Sequence, residues 1–156
     1  MINLRELNKY DKDYFFKLNN NDDNAYWMRS DSKFGEQEFK LILQSPLTTC
    51  FVIYDIDKNY DMKKVGLFTI YLYGKRLYLG IIIEDQYRRQ GYARKTFKHY
   101  LEVTDKEKVD TWLSTFVDQP ALEMYKSLGF EKQSVEVIRG REHIHMKRAS
   151  KYSKNT

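Results

Sequence analysis

A short basic turn in the middle of the chain has the residue types expected of a phosphate-binding site. The turn reads Arg88-Arg89-Gln90-Gly91-Tyr92-Ala93 and lies between the apolar run 79–83, a predicted strand, and a stretch with helical periodicity. The first turn of a helix leaves backbone N–H groups unpaired, and the helix dipole adds partial positive charge beside them. Gly91 lets the backbone approach an anion closely, and the two arginines add forked donors. The turn is therefore predicted to bind a pyrophosphate.

Two common nucleotide-binding sequences do not occur in the chain. No G-x-x-x-x-G-K-[ST] run is present, which argues against the usual nucleoside-triphosphate loop. No G-x-G-x-x-G run is present either, and the basic turn lies in mid-chain rather than in a first βαβ unit, which weighs against a dinucleotide. The ligand that remains is a pyrophosphate bound by one glycine and flanking arginines.

The elements that would position this turn alternate between strands and helices, without internal repeats. Strands are predicted for residues 2–7, 48–55, 64–73, 76–84, 110–117, 130–137 and 142–148. Helices are predicted for residues 11–18 and 35–43, after Gly91, and from Asp118-Gln119-Pro120 to a stop at Gly129, with Asp118 as the N-cap. The pattern predicts one mixed α/β domain over residues 1–148 and a flexible basic tail over residues 149–156.

Composition and charge limit the class of protein. The chain has 156 residues, 42% of them hydrophobic, which is enough for one packed core. The lone Cys50, the lack of a leader-like start and the lack of the roughly 20 apolar residues that cross a bilayer favour a cytoplasmic protein without a membrane segment. The net charge is +5, and residues 81–156 contribute +4 of it (15 Lys and Arg against 11 Asp and Glu), on the half that carries the basic turn.

The three histidines raise the question of a metal site. His143 and His145 share one face of a predicted strand, whereas His99 lies on a separate predicted helix. No cysteine or carboxylate cluster completes a ligand set, so these are interpreted as strand-surface histidines and no metal is predicted.

A second block of residues supports a resemblance to the GNAT superfamily of acyl-CoA-dependent N-acetyltransferases. Arg88-x-x-Gly91-x-Ala93 is similar to that family's CoA-pyrophosphate signature [QR]-x-x-G-x-[GA]. The block Asp118-Gln119-Pro120-Ala121-Leu122-Glu123-Met124-Tyr125-Lys126-Ser127-Leu128-Gly129-Phe130 resembles its Asn-x-x-Ala-x-x-x-Tyr-x-x-x-Gly-Phe pattern. The resemblance covers roughly residues 2–147. The opening Leu4-Arg5-Glu6-Leu7 most resembles the ribosomal-protein N-terminal acetyltransferases.

The resemblance implies a fold and a donor site. The fold would be a mostly antiparallel, twisted sheet of six to seven strands, splayed between strands four and five and flanked by about four helices. Unpaired backbone groups of Ile82 and Ile83 would bind pantetheine like an added strand, and one N–H would stabilise the thioester oxyanion. Backbone N–H groups of 89–93 would hold the pyrophosphate. Arg88, Arg94 and Lys95 are candidates for the 3′-phosphate, although Arg94 and Lys95 would equally suit solvated surface.

The resemblance also implies catalytic residues. Tyr125 would donate a proton to the departing thiolate, since a phenol with a pKa near 10 stays protonated at neutral pH; its alternative role is core packing. Glu84, at the end of the fourth strand, is the candidate general base, with a solvated strand-end carboxylate as the alternative. Two positions depart from the family pattern: Tyr78 stands where a glutamate is common, and Asp118 replaces the asparagine that contacts pantetheine. Aspartate lacks the amide donor.

Three functions are compatible with these residues. The first is transfer of an acetyl group from acetyl-CoA to a primary amine, by direct attack in a ternary complex. The others are an acetyltransferase acting on aminoacyl-tRNA and an acyl-CoA-binding module without catalysis. The acceptor would be a small molecule, a peptide N-terminus or an aminoacyl-tRNA, and the protein a monomer or homodimer. Tyr26, Trp27, Met28 and Phe34 could line an acceptor pocket or pack in the core.

Overall fold

The computed structural model describes residues 1–21 and 34–152. Within them, four α-helices are formed: α1 (Lys12–Asn19), α2 (Glu36–Gln44), α3 (Tyr92–Lys106) and α4 (Leu122–Ser127). The strands are β1 (Ile2–Glu6), β2 (Thr48–Ile56), β3 (Met62–Tyr73), β4 (Arg76–Ile83), β5 (Thr111–Phe116), β6 (Glu131–Ile138) and β7 (Arg141–Arg148). The predicted ends of these elements differ from the observed ones by no more than two residues, except in α4.

All seven strands belong to one sheet, in the order β1-β2-β3-β4-β5-β7-β6. Every neighbouring pair is antiparallel except β4 and β5, which are parallel because α3 carries the chain back across the sheet. Tight turns close the two hairpins that flank this pair, with Gly74 at φ 63° between β3 and β4 and Gly140 at φ 78° between β6 and β7. The mixed, mostly antiparallel sheet confirms the predicted fold.

Helices cover the two faces of the sheet at different places. On one face, Phe97 and Leu101 of α3 pack with Phe68, Leu79 and other residues of β3 to β7. The four-residue spacing of the apolar residues in α3 produces this stripe. On the other face, α1 and α2 bury Phe15, Leu18 and Phe39 against β2 and β3. Phe34 lies in this second core, with its ring 5.6 Å from that of Phe15, whereas Tyr26, Trp27 and Met28 fall outside the described residues.

The start of α4 differs from the prediction. The helix begins at Leu122 and its N-cap is Ala121, without a side-chain capping bond. Residues 117–121 form turns in which Gln119 N–H donates to the Phe116 carbonyl at 3.1 Å and Leu122 N–H donates to the Gln119 carbonyl at 3.0 Å. The predicted N-cap role of Asp118 is therefore wrong, because these turns place the helix start four residues later. Its carboxylate lies 3.7 Å from Arg141 instead.

The described part of the C-terminal segment is anchored to the domain. Ser150 is 4% exposed, and its backbone N–H donates to the Asp110 carboxylate at 2.8 Å. Lys151 N–H donates to Asp105, whose carboxylate also pairs with Arg148 at 2.8 Å. The flexible tail expected from residue 149 onward therefore does not apply to 149–152, since these contacts fix the backbone. None of the described helices is long and apolar enough to cross a membrane.

Candidate active site

A gap opens between the two parallel strands in the centre of the sheet. The ladder between β4 and β5 consists of two pairs, Leu77 with Thr111 and Tyr78 with Trp112. Beyond them, β4 continues for five residues and β5 for four without further pairing to each other. The two strands therefore diverge towards their C-terminal ends, which leaves strand edges facing the gap. This arrangement matches the splayed sheet that the sequence predicted.

The register of β4 identifies which backbone groups face the gap. Glu84 N–H donates to the Val65 carbonyl of β3 at 2.8 Å. Because backbone groups alternate sides along a strand, Ile82 also directs its N–H and C=O towards β3, where its register partner is Leu67. Ile81 and Ile83 face the opposite edge, towards the gap. The prediction of free backbone groups is therefore wrong for Ile82, since they lie in the β3 ladder. Ile83 has the predicted orientation.

The basic turn adopts a backbone shape that leaves room for an anion. A short 3-10 helix, Asp85–Tyr87, follows β4, and then Arg89 and Gly91 take left-handed conformations with φ of 61° and 85°. Gly91 is the N-cap of the 15-residue α3. A Cβ placed on Gly91 would meet no atom within 4 Å, so the space in front of the turn is open. Open space beside unpaired N–H groups at a long helix start fits a pyrophosphate.

The side chains of the turn divide into anchored and exposed groups. Tyr92 is anchored, because its hydroxyl donates to Asp55 at 2.7 Å and its ring is 8% exposed. Arg88 pairs with Asp85 at 2.8 Å and donates through Nε to the Ile83 carbonyl at 3.1 Å. These contacts hold Arg88 against the end of β4, which argues against the predicted role at the 3′-phosphate. Arg89 is exposed and remains suited to binding an anion.

The remaining predicted donor-site residues also have defined places. Gln90 donates through its side chain to the Gln86 carbonyl at 3.0 Å. Ala93 packs against the core beneath α3, while Arg94 and Lys95 lie on the first turns of α3, half-buried and exposed respectively. Asp118 is separated from the turn in sequence and lies near Arg141 of β7. The basic turn is joined to the β4 edge of the gap by the short segment 84–87, which contains the 3-10 helix.

Tyr125 lies in an aromatic cluster on the α3 side of the sheet. Its ring centroid is 5.5 Å from that of Phe97 and 6.4 Å from that of Phe130. Burial raises the pKa of the Tyr125 hydroxyl to about 12. No described residue forms a hydrogen bond with this hydroxyl. The phenol is therefore fully protonated at neutral pH and has a proton to donate.

Glu84 is enclosed by hydrogen-bond donors. Its carboxylate, 9% exposed, accepts from Lys17 Nζ at 2.8 Å, from the Tyr14 hydroxyl at 2.8 Å and from Gln86 Nε2 at 3.1 Å. Burial by itself would raise the pKa of Glu84, but the bonds from Lys17, Tyr14 and Gln86 together lower it. A carboxylate stabilised in this way is a weak proton acceptor, and its oxygens are occupied. These contacts argue against the predicted role of Glu84 as general base. We call these four residues the Glu84 cluster.

A second polar group lies across the gap, on β5, β6 and β7. Ser114 Oγ is 3.0 Å from Nδ1 of His145, and Nε2 of His145 is 3.6 Å from a carboxylate oxygen of Glu136. The sequence analysis missed this grouping, because Ser114 and His145 are 31 residues apart. The only available signal was a serine in the middle of one predicted strand and a histidine in the middle of another. We call these three residues the His145 cluster.

His143 differs from its interpretation as a strand-surface residue. It is 1% exposed, and its ring packs edge-on against Phe116 with centroids 4.5 Å apart. Among the described residues, no group of three or more His, Cys, Asp or Glu side chains is arranged to hold a metal ion. His143 is therefore part of the packing beneath β5.

Two open cavities lie on the face of the sheet where the His145 cluster is found. One, of about 470 Å³, is lined by residues that include Tyr73, Tyr78, Glu136 and His145. The other, of about 610 Å³, is lined by residues that include Arg76, Trp112 and Lys147. In the second, the Arg76 guanidinium stacks 3.8 Å above the centroid of Trp112. Both cavities adjoin the pair Tyr78 and Trp112, at which the gap begins.

The chain thus combines diverging parallel strands with a basic turn at the start of a long helix, α3. The sequence model of the acetyltransferase (GNAT) family matches residues 7–130. The chain therefore belongs to the GNAT acetyltransferase family, as the sequence motifs predicted. Membership confirms the predicted class of enzyme and its acyl donor, acetyl-CoA.

Solved structures with the same fold cover nearly the whole chain. A spermidine N-acetyltransferase from Vibrio cholerae, in complex with CoA and spermine, is 21% identical with a TM-score of 0.79, over 96% of this chain and 95% of that one. The ribosomal-protein-S18-alanine N-acetyltransferase from Escherichia coli is 16% identical with a TM-score of 0.72, over 100% and 98%. A domain from Methanocaldococcus jannaschii is 14% identical with a TM-score of 0.79, over 94% and 98%. No curated protein sequence matches the chain. At these sequence identities, the similarity shows a shared fold and nothing more specific.

Proposed function

We propose that the protein transfers the acetyl group of acetyl-CoA to the nitrogen of a primary amine, by direct attack while both substrates are bound. The observation that carries the proposal is the gap between β4 and β5 directly beside the open turn at Gly91. The gap offers strand edges to an extended chain, and the turn offers N–H groups to an anion. Pantetheine joined to a pyrophosphate has both features, in this order.

The donor would be held mainly by backbone groups. The N–H of Ile83 and the backbone of Ile81 face the gap and would bind the pantetheine amides as a strand would. The backbone from Arg89 to Ala93 would bind the pyrophosphate, with Arg94 and Lys95 reaching the 3′-phosphate. We assign Arg88 to bracing the turn through Asp85 and Ile83, because its polar atoms are occupied there.

Tyr125 would supply the proton that the leaving thiolate needs. A CoA thiolate has a lower proton affinity than a phenolate in an apolar site. The phenol therefore acts only when negative charge develops on sulfur, as the C–S bond breaks. A nearby protonated phenol stabilises that charge by hydrogen bonding and then transfers its proton. The apolar packing of Tyr125 against Phe97 and Phe130 keeps the phenol neutral until then.

Glu84 and Asp118 receive structural roles in this proposal. Glu84 would fix α1 to the end of β4 through Lys17 and Tyr14, which keeps that end of the gap in place. Asp118, 58% exposed and 3.7 Å from Arg141, would join the β5–α4 turn to β7. Neither residue is needed to accept the amine proton.

An amine panel tests the proposed function. Purified protein is incubated with acetyl-CoA and, in turn, with polyamines, peptides, aminoglycosides, amino sugars and aminoacyl-tRNA, and free thiol is measured. We expect amine-dependent CoA release with at least one class, and mass spectrometry should find one added acetyl group on nitrogen. Transfer confined to aminoacyl-tRNA, with salt-dependent RNA binding, would identify the nucleic-acid alternative. Tight acetyl-CoA binding with no transfer across the panel would instead indicate a binding module.

A further inference from the structure

We propose that Ser114 and His145 form the proton relay that removes a proton from the acceptor ammonium, with Glu136 holding the imidazole. The inference rests on the proposed amine acetylation and assigns its general base. Ser114 would contact the acceptor nitrogen and His145 would store the proton. Glu136 would act on the reaction through His145, as a positioning residue.

The distances determine how the imidazole is protonated at rest. Nε2 of His145 lies 3.6 Å from the Glu136 carboxylate, which favours a proton on Nε2. Nδ1 then carries the lone pair and accepts the Ser114 hydroxyl proton at 3.0 Å. A hydroxyl that donates to an imidazole, which in turn faces a carboxylate, has the arrangement that lets serine exchange protons with a substrate.

The position of the cluster relative to the gap supports contact with the acceptor. Ser114 lies two residues beyond Trp112, the last residue of β5 that pairs with β4, so it lies where the gap opens. Since side chains alternate along a strand, Ser114 lies on the face opposite to Leu113, which packs in the α3 core. The cavity of about 470 Å³ on this face is lined by His145, Glu136 and Tyr78. An acceptor in that cavity would reach the gap from the side away from α3.

Burial and exposure also suit a relay. The side chain of His145 is 16% exposed and that of Glu136 is 48% exposed. The imidazole is thus shielded enough to keep its orientation, and the carboxylate has a path to solvent. By contrast, the carboxylate of Glu84 is 9% exposed and already accepts three hydrogen bonds. Of these two clusters beside the gap, the His145 cluster is the one with an imidazole, whose Nδ1 can take the Ser114 proton.

The proton transfers balance over the reaction. The acceptor enters as an ammonium, and one of its protons passes to Ser114 Oγ while the Ser114 proton passes to Nδ1 of His145. The nitrogen lone pair then attacks the thioester carbonyl carbon, the C–N bond forms and the C–S bond breaks. The thiolate takes the Tyr125 proton, and a second nitrogen proton, carried by solvent, restores that phenol. His145 returns its proton to solvent, so each turnover releases one proton.

Several charged and titratable groups surround His145 and will influence any pH dependence. They come from β6, from β7 itself, and from the β3–β4 turn with the strand residues on either side: Glu136, His143, Tyr73, Lys75, Arg76 and Tyr78. A pH profile therefore has to be compared between variants that leave these groups in place.

The test compares His145→Gln with His99→Gln, using wild-type protein and an amine identified from the panel. His99 is exposed on α3 and makes a matched control. We expect His145→Gln to lower kcat at least about 100-fold, the usual contribution of a general base, with the KM for acetyl-CoA unchanged. The acidic limb of the kcat/KM profile that His145 produces should vanish in this variant and persist in His99→Gln. Wild-type kcat and profile in His145→Gln would overturn the relay and leave the proposed function intact.

Two further measurements cover a variant that does not fold. Ser114→Ala should lower kcat at least about tenfold with an unchanged melting temperature, and an unchanged kcat would contradict the relay. Nitrogen NMR of protein labelled on its three histidines reports the tautomer of His145 without any substrate. We expect the Nε2–H form, and an Nδ1–H form would overturn the proposed direction of transfer. If wild type acetylates no amine in the panel, the proposed function fails and the relay fails with it.

Discussion

The Glu84 cluster and the His145 cluster lie on opposite sides of the same gap, and both contain a carboxylate. In the Glu84 cluster, three donors converge on the carboxylate and lower its pKa. In the His145 cluster, the carboxylate instead faces an imidazole whose other nitrogen lies 3.0 Å from a serine hydroxyl. The Glu84 carboxylate oxygens already accept three hydrogen bonds, so they are poor acceptors for a further proton. The Glu136 carboxylate faces an imidazole, which can itself take up and release a proton. The two carboxylates therefore differ in their hydrogen-bond partners, which position at a strand end does not reveal.

Tyr125, the proposed proton donor to sulfur, belongs to neither cluster. Tyr125→Phe removes only the hydroxyl, which has no hydrogen-bond partner among the described residues, so the fold should be unaffected. We expect kcat to fall about 100-fold or more, with the KM for the amine and the melting temperature close to wild type. Steady-state kinetics measure kcat and KM, and a thermal melt measures the melting temperature. Unchanged turnover would remove Tyr125 from the mechanism.

The structural role of Glu84 predicts a loss of stability rather than of chemistry. Glu84→Ala leaves the half-buried Tyr14 hydroxyl without its acceptor, whereas the exposed Gln86 can bond to water, and we expect the free energy of unfolding to fall by about 1–3 kcal/mol. Lys17 contributes little to this loss, because its side chain is 62% exposed. Urea unfolding measures the change. Glu136→Gln is the matched control, and its stability should stay close to wild type while its kcat falls.

Donor binding should be independent of both clusters and depend on the turn. Gly91→Val places a β-branched residue at φ 85° and puts its side chain into the open space in front of the turn. We expect the Kd for acetyl-CoA to rise about tenfold or more, measured by calorimetry. Gly140→Val imposes similar strain at φ 78° in the β6–β7 turn and should leave this Kd unchanged. Equal affinity in the two variants would contradict pyrophosphate binding at the turn.

The Glu84 cluster also predicts a small, signed pH effect on stability. The pKa of Glu84 is lowered from its ordinary value of 4.5 by the bonds from Lys17, Tyr14 and Gln86, which outweigh burial. Its stabilising contribution is therefore complete above the unfolded pKa and is lost as the pH falls through the folded pKa. Wild type should lose more stability than Glu84→Gln as the pH falls below about 4.5. Parallel acid titrations in the two proteins would contradict this account.

The sequence predicted most elements because their patterns are local. The stripe of Ala93, Phe97 and Leu101 predicts α3, and the continuous apolar run 79–83 predicts the strand β4. The motif around Gly91 was equally local, because a left-handed glycine before a helix can be predicted from the residues next to it. These local features were enough to predict the acetyltransferase family and its acyl donor, without information on contacts between distant residues.

The sequence failed where a role depends on residues far apart. Whether Ile82 or Ile83 faces the gap depends on the register with β3, which the β4 sequence does not contain. Two of the three donors to Glu84 come from α1, 67 and 70 residues earlier, and their convergence is a tertiary property. Ser114 and His145 meet because β5 pairs with β7. These errors concern the partners of a residue, whereas the late start of α4 at Leu122 is an error of secondary structure.

Amine-dependent release of CoA, measured side by side in Glu84→Gln and His145→Gln, tests the central claim most directly. Both substitutions remove a titratable side chain and replace it with an amide, and both lie beside the same gap. The account predicts that Glu84→Gln keeps kcat within a few-fold of wild type and that His145→Gln loses at least about 100-fold. The opposite result, with activity lost in Glu84→Gln and retained in His145→Gln, would contradict it.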